Sequence, residues 1–312
     1  MIKRVTLIFI FFLTVLVFTY SQDNSAFLDS ITRKRINLQF DEALSDINAA
    51  IDRNPENGDY YAERSFIYND MKEYYEVVND ITIAITLGSN FNLNILYTIR
   101  GFAYFQLGRF NEALIDMSKE GINNVDIIRM RADLNLRLRN HEKAVEDYSY
   151  LLEIDTDTRN HEHYYLSRAE AFFDNKNYLE ALDDINNGAI ANNSKDARYY
   201  TLRGCINLGL KLSDKVIDDL NRALQLKPTD NLYATIYLYR GIAYAWQGNF
   251  TLSLADINRA IENNPNGASC FIARAQLYEV LAATSLRRSV RKEYLRRSAR
   301  DYAIAERLRN AE

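Results

Sequence analysis

Apolar positions along most of the chain recur with helical rather than alternating spacing. A large residue (Tyr61, Tyr97, Ile128, Tyr165, Tyr200, Tyr237, Phe271) is followed four residues on by a small one (Ser65, Gly101, Ala132, Ala169, Gly204, Gly241, Ala275), and residues so spaced share one helix face. Small or apolar residues on a following segment answer each pair: Ala43, Val77, Ala113, Ala144, Ala181, Val216 and Ser253. Neither helix can bury its face alone, so the pattern predicts helix pairs that make a core by stacking. The 3 Pro and 11 Gly of the 312 residues are too few to punctuate an all-β fold.

One aspartate in each second helix marks the phase: Asp46, Asp80, Asp116, Asp147, Asp184, Asp219, Asp256 and Asp301. The first step is 34 residues and later ones run from 31 to 45, a variation that belongs to loops while the helical frame persists. Pro55, Pro228 and Pro265 all fall just after a second helix, where proline stops a helix without breaking one.

The run from Arg240 to Ile257 reads Arg-Gly-x-Ala-Tyr-x-x-x-Gly-x-Phe-x-x-Ser-Leu-x-Asp-Ile. With its recurrences it resembles the tetratricopeptide repeat family, over about residues 24 to 310. The resemblance implies an all-α fold, a right-handed superhelical solenoid of about eight helix-turn-helix repeats, and a non-enzymatic protein–protein interaction scaffold or adaptor. The units at 24–55 and 125–156 are degenerate, and 268–310 carries an excess of 11 residues.

Ahead of the repeats, residues 1–21 read as a signal peptide: Lys3 and Arg4, an apolar run from Val5 to Val17, and an exit at Thr19-Tyr20-Ser21. The run falls short of the ~20 apolar residues of a spanning helix, so cleavage after Ser21 is expected over retention as an anchor. That makes the protein exported, periplasmic or secreted, with the array over 22–285 and a basic C-terminal capping helix over 286–312.

Seven first helices carry arginine at one position: Arg64, Arg100, Arg131, Arg168, Arg203, Arg240 and Arg274, with Ser30 in the first repeat. Arginine at a helix interface needs acidic partners, and the phase-marking aspartates are in register. Pairing each Asp with the arginine of the following repeat, Asp46 with Arg64 through Asp256 with Arg274, would account for Ser30; pairing inside a repeat would not. An anion-binding row is the functional alternative.

The resemblance also implies that first helices line a concave groove. The candidate protein-binding residues are Phe66, Asn69, Phe102, Phe105, Arg129, Asp133, Glu170, Leu208, Leu238, Ile242 and Trp246. Apolar ends suit an amphipathic helix or apolar peptide, and the absence of Lys from the stripe disfavours the clamp by which relatives grip chaperone C-termini. The alternative is a superhelix wound tightly enough to bury these side chains against each other.

Charge is uneven. Residues 286–312 hold nine Arg or Lys against four Asp or Glu, although the whole chain is net −4, and such a split invites an electrostatic partner. A second functional reading is thus a membrane-associated assembly factor, docked to anionic lipid or an acidic protein through this helix. In the capping reading, Leu286, Val290, Tyr294 and Tyr302 cover the preceding core. Cys205 and Cys270 lie two repeats apart, beyond disulfide reach. His141, His161 and His163 show no metal-ligand spacing, and no catalytic or phosphate-binding motif occurs. No cofactor, metal, disulfide or nucleic acid is expected, and the partner is a protein or peptide.

Overall fold

In the computed structural model, described over residues 25–190 and 195–310, the chain is helical throughout. The expected signal peptide lies outside the described residues. Two compact units divide at Asp155 and Thr156, each built of four helix hairpins. Unit 1 holds α1 (Ser25–Ile36), α2 (Phe40–Arg53), α3 (Gly58–Met71), α4 (Tyr74–Leu87), α5 (Leu93–Gln106), α6 (Phe110–Met117), α7 (Val125–Arg137) and α8 (His141–Ile154). Unit 2 holds α9 (His161–Asp174), α10 (Tyr178–Ile185, continued by a π-turn over Asn186–Ile190), α11 (Ala197–Gly209), α12 (Ser213–Gln225), α13 (Asp230–Trp246), α14 (Phe250–Asn263), α15 (Ala268–Thr284) and α16 (Arg288–Arg309). The phase aspartates sit on the even-numbered helices.

Seven of the eight hairpin turns share one construction. Leu38, Lys72, Gly108, Arg139, Lys176, Lys211 and Gly248 all have positive φ, between 61° and 76°, and each lies eight residues before its phase aspartate. The next residue's N–H reaches back five residues, as from Glu73 to the Tyr68 carbonyl at 2.9 Å and from Asn249 to that of Tyr244 at 2.8 Å. This closes the first helix with a left-handed residue and satisfies its terminal carbonyls. First helices often start on a side-chain cap: Asn57, Asn92, Asn124 and Asp196 each accept from the backbone N–H two residues on.

Core clusters run from one hairpin to the next first helix. In unit 1, Phe66, Val77 and Ile81 of α3–α4 meet Leu96, Ile99 and Ala103 of α5. In unit 2, Leu208, Val216 and Leu220 of α11–α12 meet Ile236 and Ala243 of α13. The small residues serve close approach: a Cβ on Gly241 would lie 2.8 Å from Ile257 and 3.2 Å from the Ser253 carbonyl, so a larger residue would force α13 and α14 apart.

The last hairpin absorbs the 11-residue excess in its arms. Four residues extend α15 past the usual end, and seven precede the usual start of α16 on the aspartate's side, about one and two helical turns. The expected capping line is corrected here: Leu286 and Val290 are exposed, as is Tyr302, and only Tyr294 packs, its ring stacked on Tyr278 at 6.0 Å. The face α16 turns to α15 is instead Tyr294, Ser298, Asp301 and Ala305, a 4-3-4 spacing that follows one side of a helix. Asp301 takes Arg274 as its partner and thereby fixes the face. Among the described residues no helix is long and apolar enough to cross a membrane.

Candidate functional site

The arginines and aspartates do pair, but within hairpins. Arg64–Asp80, Arg100–Asp116, Arg131–Asp147, Arg168–Asp184, Arg203–Asp219, Arg240–Asp256 and Arg274–Asp301 are joined through Nε and Nη2 at 2.5–3.1 Å. The expected pairing across repeats is therefore wrong. In an antiparallel hairpin, residues equally far from the turn lie level, and Arg64 and Asp80 are each eight residues from Lys72. Ser30 has its own explanation: Lys34, one turn further along α1, reaches Asp46 at 2.6 Å.

Neighbouring repeats are joined by the arginine's third arm. Nη1 donates to a residue two beyond the preceding phase aspartate: Asn48 from Arg64 (2.7 Å), Thr82 from Arg100 (3.1 Å), Asn186 from Arg203 (3.2 Å), Asn221 from Arg240 (2.6 Å) and Asn258 from Arg274 (2.8 Å). Arg131 uses the Met117 carbonyl at 3.4 Å. Aromatic rings three before and four after hold the guanidinium plane, as Tyr61 and Tyr68 do for Arg64 and Tyr237 and Tyr244 for Arg240, at 5.5–5.9 Å. Asn135 and Asn207, which stand four residues after Arg131 and Arg203, donate to the aspartate instead.

Burial governs the electrostatics of this row. The aspartate side chains are at most 9% exposed and the arginines 12–24%. Burial pushes the carboxyls of Asp80, Asp184 and Asp219 up, and the arginine hydrogen bonds oppose it. With Nε and Nη2 of every arginine on a buried aspartate, and Nη1 of six of the seven on the preceding repeat, the row is built as a structural ladder.

The eleven groove candidates fall into two sets in each unit. In unit 1, Phe66 packs edge-on to Phe91 at 5.2 Å and Phe102 to Tyr74 at 6.1 Å; both are core rings, and Asn69 is buried as well. Phe105, Arg129 and Asp133 keep partial exposure, with Arg129 paired to Asp126 at 2.5 Å and Asp133 accepting from the Tyr148 hydroxyl at 2.5 Å. In unit 2, Leu208 and Leu238 are buried, Glu170 and Ile242 are half-buried, and Trp246 is 51% exposed. Val280, not among the candidates, is exposed too. It stands six residues after Arg274 as Trp246 stands six after Arg240, so the two occupy one register position on adjacent first helices.

Sequence reasoning also missed a buried polar cluster in unit 1. Arg35 donates to Asp70 at 2.8 Å and lies 4.0 Å from Glu63, which accepts from Thr32 at 2.7 Å. Burial pushes the Glu63 carboxyl up, against Arg35 and Thr32. The cluster ties α1 to α3, where a second positive residue beside Lys34 was its only sequence signal. Burial likewise pushes the Cys205 thiol up to about 12, which leaves it an inert core group at neutral pH. No cluster of three or more His, Cys, Asp or Glu is placed to hold a metal among the described residues.

No protein-family model matches the chain. The chain is 22% identical over 232 residues to the Hsp70-Hsp90 organizing protein of Triticum aestivum, aligning 73% of itself to 39% of that protein's length. A crystal structure of a tetratricopeptide repeat protein from Parabacteroides merdae superposes with TM-score 0.55 at 20% identity, over 78% of this chain and 98% of that one. The C-terminal part of a TPR repeat-containing protein from Cytophaga hutchinsonii does so at 0.53 and 18%, over 76% and 92%. Together with the hairpins, their shared turn and the stacked cores, these likenesses identify the chain as an all-α repeat solenoid with the tetratricopeptide repeat fold.

Proposed function

We propose that the protein is a non-enzymatic scaffold, exported from the cytoplasm, that binds an apolar or amphipathic helical segment of another protein on the first helices of unit 2. The observation that carries this is the exposure of Trp246, the chain's single tryptophan, in line with half-buried Ile242 and level with exposed Val280. Tryptophan is enriched among residues that dominate binding energies, and a helix presents apolar residues at the spacing this surface would receive. The distant relative's name describes an organizer of two other proteins, which accords with a scaffold. Phe105, Arg129 and Asp133 would form a separate, more polar surface in unit 1.

The test places a photoreactive amino acid at Val280 in the native cell, with Lys215 on the exposed side of α12 as control. A discrete cross-linked partner from position 280, lost on Trp246→Ala and absent from position 215, supports the site. Cross-links that ignore Trp246→Ala reject it. Export is tested separately by N-terminal sequencing, where a chain beginning at Gln22 is expected and a purified protein that retains Met1 overturns cleavage.

A further inference from the structure

The tip of the last hairpin has a property the other turns lack. Elsewhere the turn is a two- or three-residue link beside a left-handed residue; here Ser285, Leu286 and Arg287 join arms longer by about one and two turns. A rise of 1.5 Å per residue carries the tip roughly 6–10 Å beyond an ordinary turn position along its own arms. Leu286 is fully exposed at the apex, with Val290 exposed four residues on, in the first turn of α16. Every charged residue from Leu281 to Lys292 is basic: Arg287, Arg288, Arg291 and Lys292. The next carboxylate, Glu293, is committed to Arg296 at 2.9 Å and Arg297 at 2.8 Å, and Tyr294 stacked on Tyr278 braces the base of the extension.

We propose that this tip is a membrane-surface anchor that places Leu286 and Val290 among the headgroups of an anionic bilayer, with Arg287, Arg288, Arg291 and Lys292 against the lipid phosphates. An anionic bilayer offers hydrocarbon directly beneath a layer of negative charge, and the tip presents apolar side chains at its apex with cations immediately behind. An acidic protein surface would satisfy the cations and leave Leu286 in water. Acidic residues outnumber basic ones over the whole chain, 42 to 38, although the C-terminal segment is basic, so the remainder is repelled by the same surface and the tip is the point of contact. Neither part suffices alone: each cation near such a surface adds only a modest attraction, and one or two shallow apolar side chains give only weak, reversible binding.

The experiment is co-sedimentation of the purified protein with phosphatidylcholine vesicles, with and without phosphatidylglycerol. Binding is expected only to the anionic vesicles and should fall as salt rises from low to physiological. Gln at all four cationic positions should weaken binding by about a hundredfold or more. Leu286→Asp should weaken it by roughly tenfold, with unchanged circular dichroism because the residue touches no core. Failure to bind anionic vesicles at low salt overturns the proposal, and capture by polyglutamate in that case assigns the tip to an acidic protein. Equal binding to neutral vesicles removes the electrostatic part. Full retention by Leu286→Asp removes the insertion.

Discussion

The first hairpin, α1–α2, and the α13–α14 hairpin of unit 2 solve one problem with different cations. In the first, the Lys34 ammonium meets Asp46 at 2.6 Å, with Glu42 at 3.9 Å, and the Asp46 side chain remains 44% exposed. In the second, Arg240 binds both oxygens of buried Asp256, sends Nη1 to Asn221 and lies between Tyr237 and Tyr244. A lysine is a point charge on a flexible stem, whereas a guanidinium is a planar fork that can serve three acceptors while stacking. The fork is needed where one residue must close its own hairpin and also hold the preceding one. α1 is the first described helix, and there a point charge on a half-exposed carboxylate suffices.

The largest predicted effect breaks the inner arrangement. Arg240→Ala leaves Asp256 buried without its cation and should destabilise the protein by about 3–5 kcal/mol in urea or thermal unfolding. Asp256→Ala should couple to it strongly in a double-mutant cycle, and Asp219→Ala should not. The reverse result would restore pairing across repeats. Arg240→Lys should recover only part of the loss. Lys34→Ala should move the unfolding midpoint far less than Arg240→Ala, because its partner is already hydrated.

A smaller effect tests the link between hairpins. Asn221→Ala removes the acceptor of the third arm while leaving the Arg240–Asp256 pair in place, and should cost about 1 kcal/mol. Since Arg240 Nη1 would then lack its acceptor, the loss should be absent in the Arg240→Ala background. An equal loss in both backgrounds would mean that Asn221 acts through helix α12 alone.

The helix-pair frame was legible because large-small spacing, phase aspartates and prolines agree independently. Pairing inside hairpins was legible too, in the constancy of one spacing. Arginine and aspartate are 16 residues apart in all six ordinary hairpins, while the distance from an aspartate to the next repeat's arginine runs from 15 to 21. A constant separation marks a rigid hairpin, and a variable one crosses a loop. Ser30 misled because the substitute cation had moved one turn along the same face, to Lys34. The groove was less legible: register places Phe66 and Phe102 on the implied stripe, but whether a ring on that stripe meets water depends on how closely the next first helix packs. Trp246, beside the alanines and glycine of α13, remains exposed. The extended arms of the last hairpin were visible as an excess in length, but not which face of α16 would pack.

The smallest effect sharpens the comparison at the turns of the same two hairpins. Leu38 and Gly248 occupy the same left-handed position, at φ 61° and 76°. Leu38 is 73% exposed, and no atom lies within 4 Å of where a Cβ on Gly248 would be, so substitutions at either act through the backbone. An L-residue pays about 1–2 kcal/mol for left-handed geometry, while glycine loses roughly 0.5–1 kcal/mol more conformational freedom on folding than alanine does. The difference favours glycine by roughly 0 to 1.5 kcal/mol. Leu38→Gly should therefore raise the unfolding midpoint slightly, and Gly248→Ala should lower it by a similar amount. A destabilised Leu38→Gly would show that the exposed leucine contributes packing which outweighs the backbone term, and the first turn would then differ from the inner one in more than its dihedral angles.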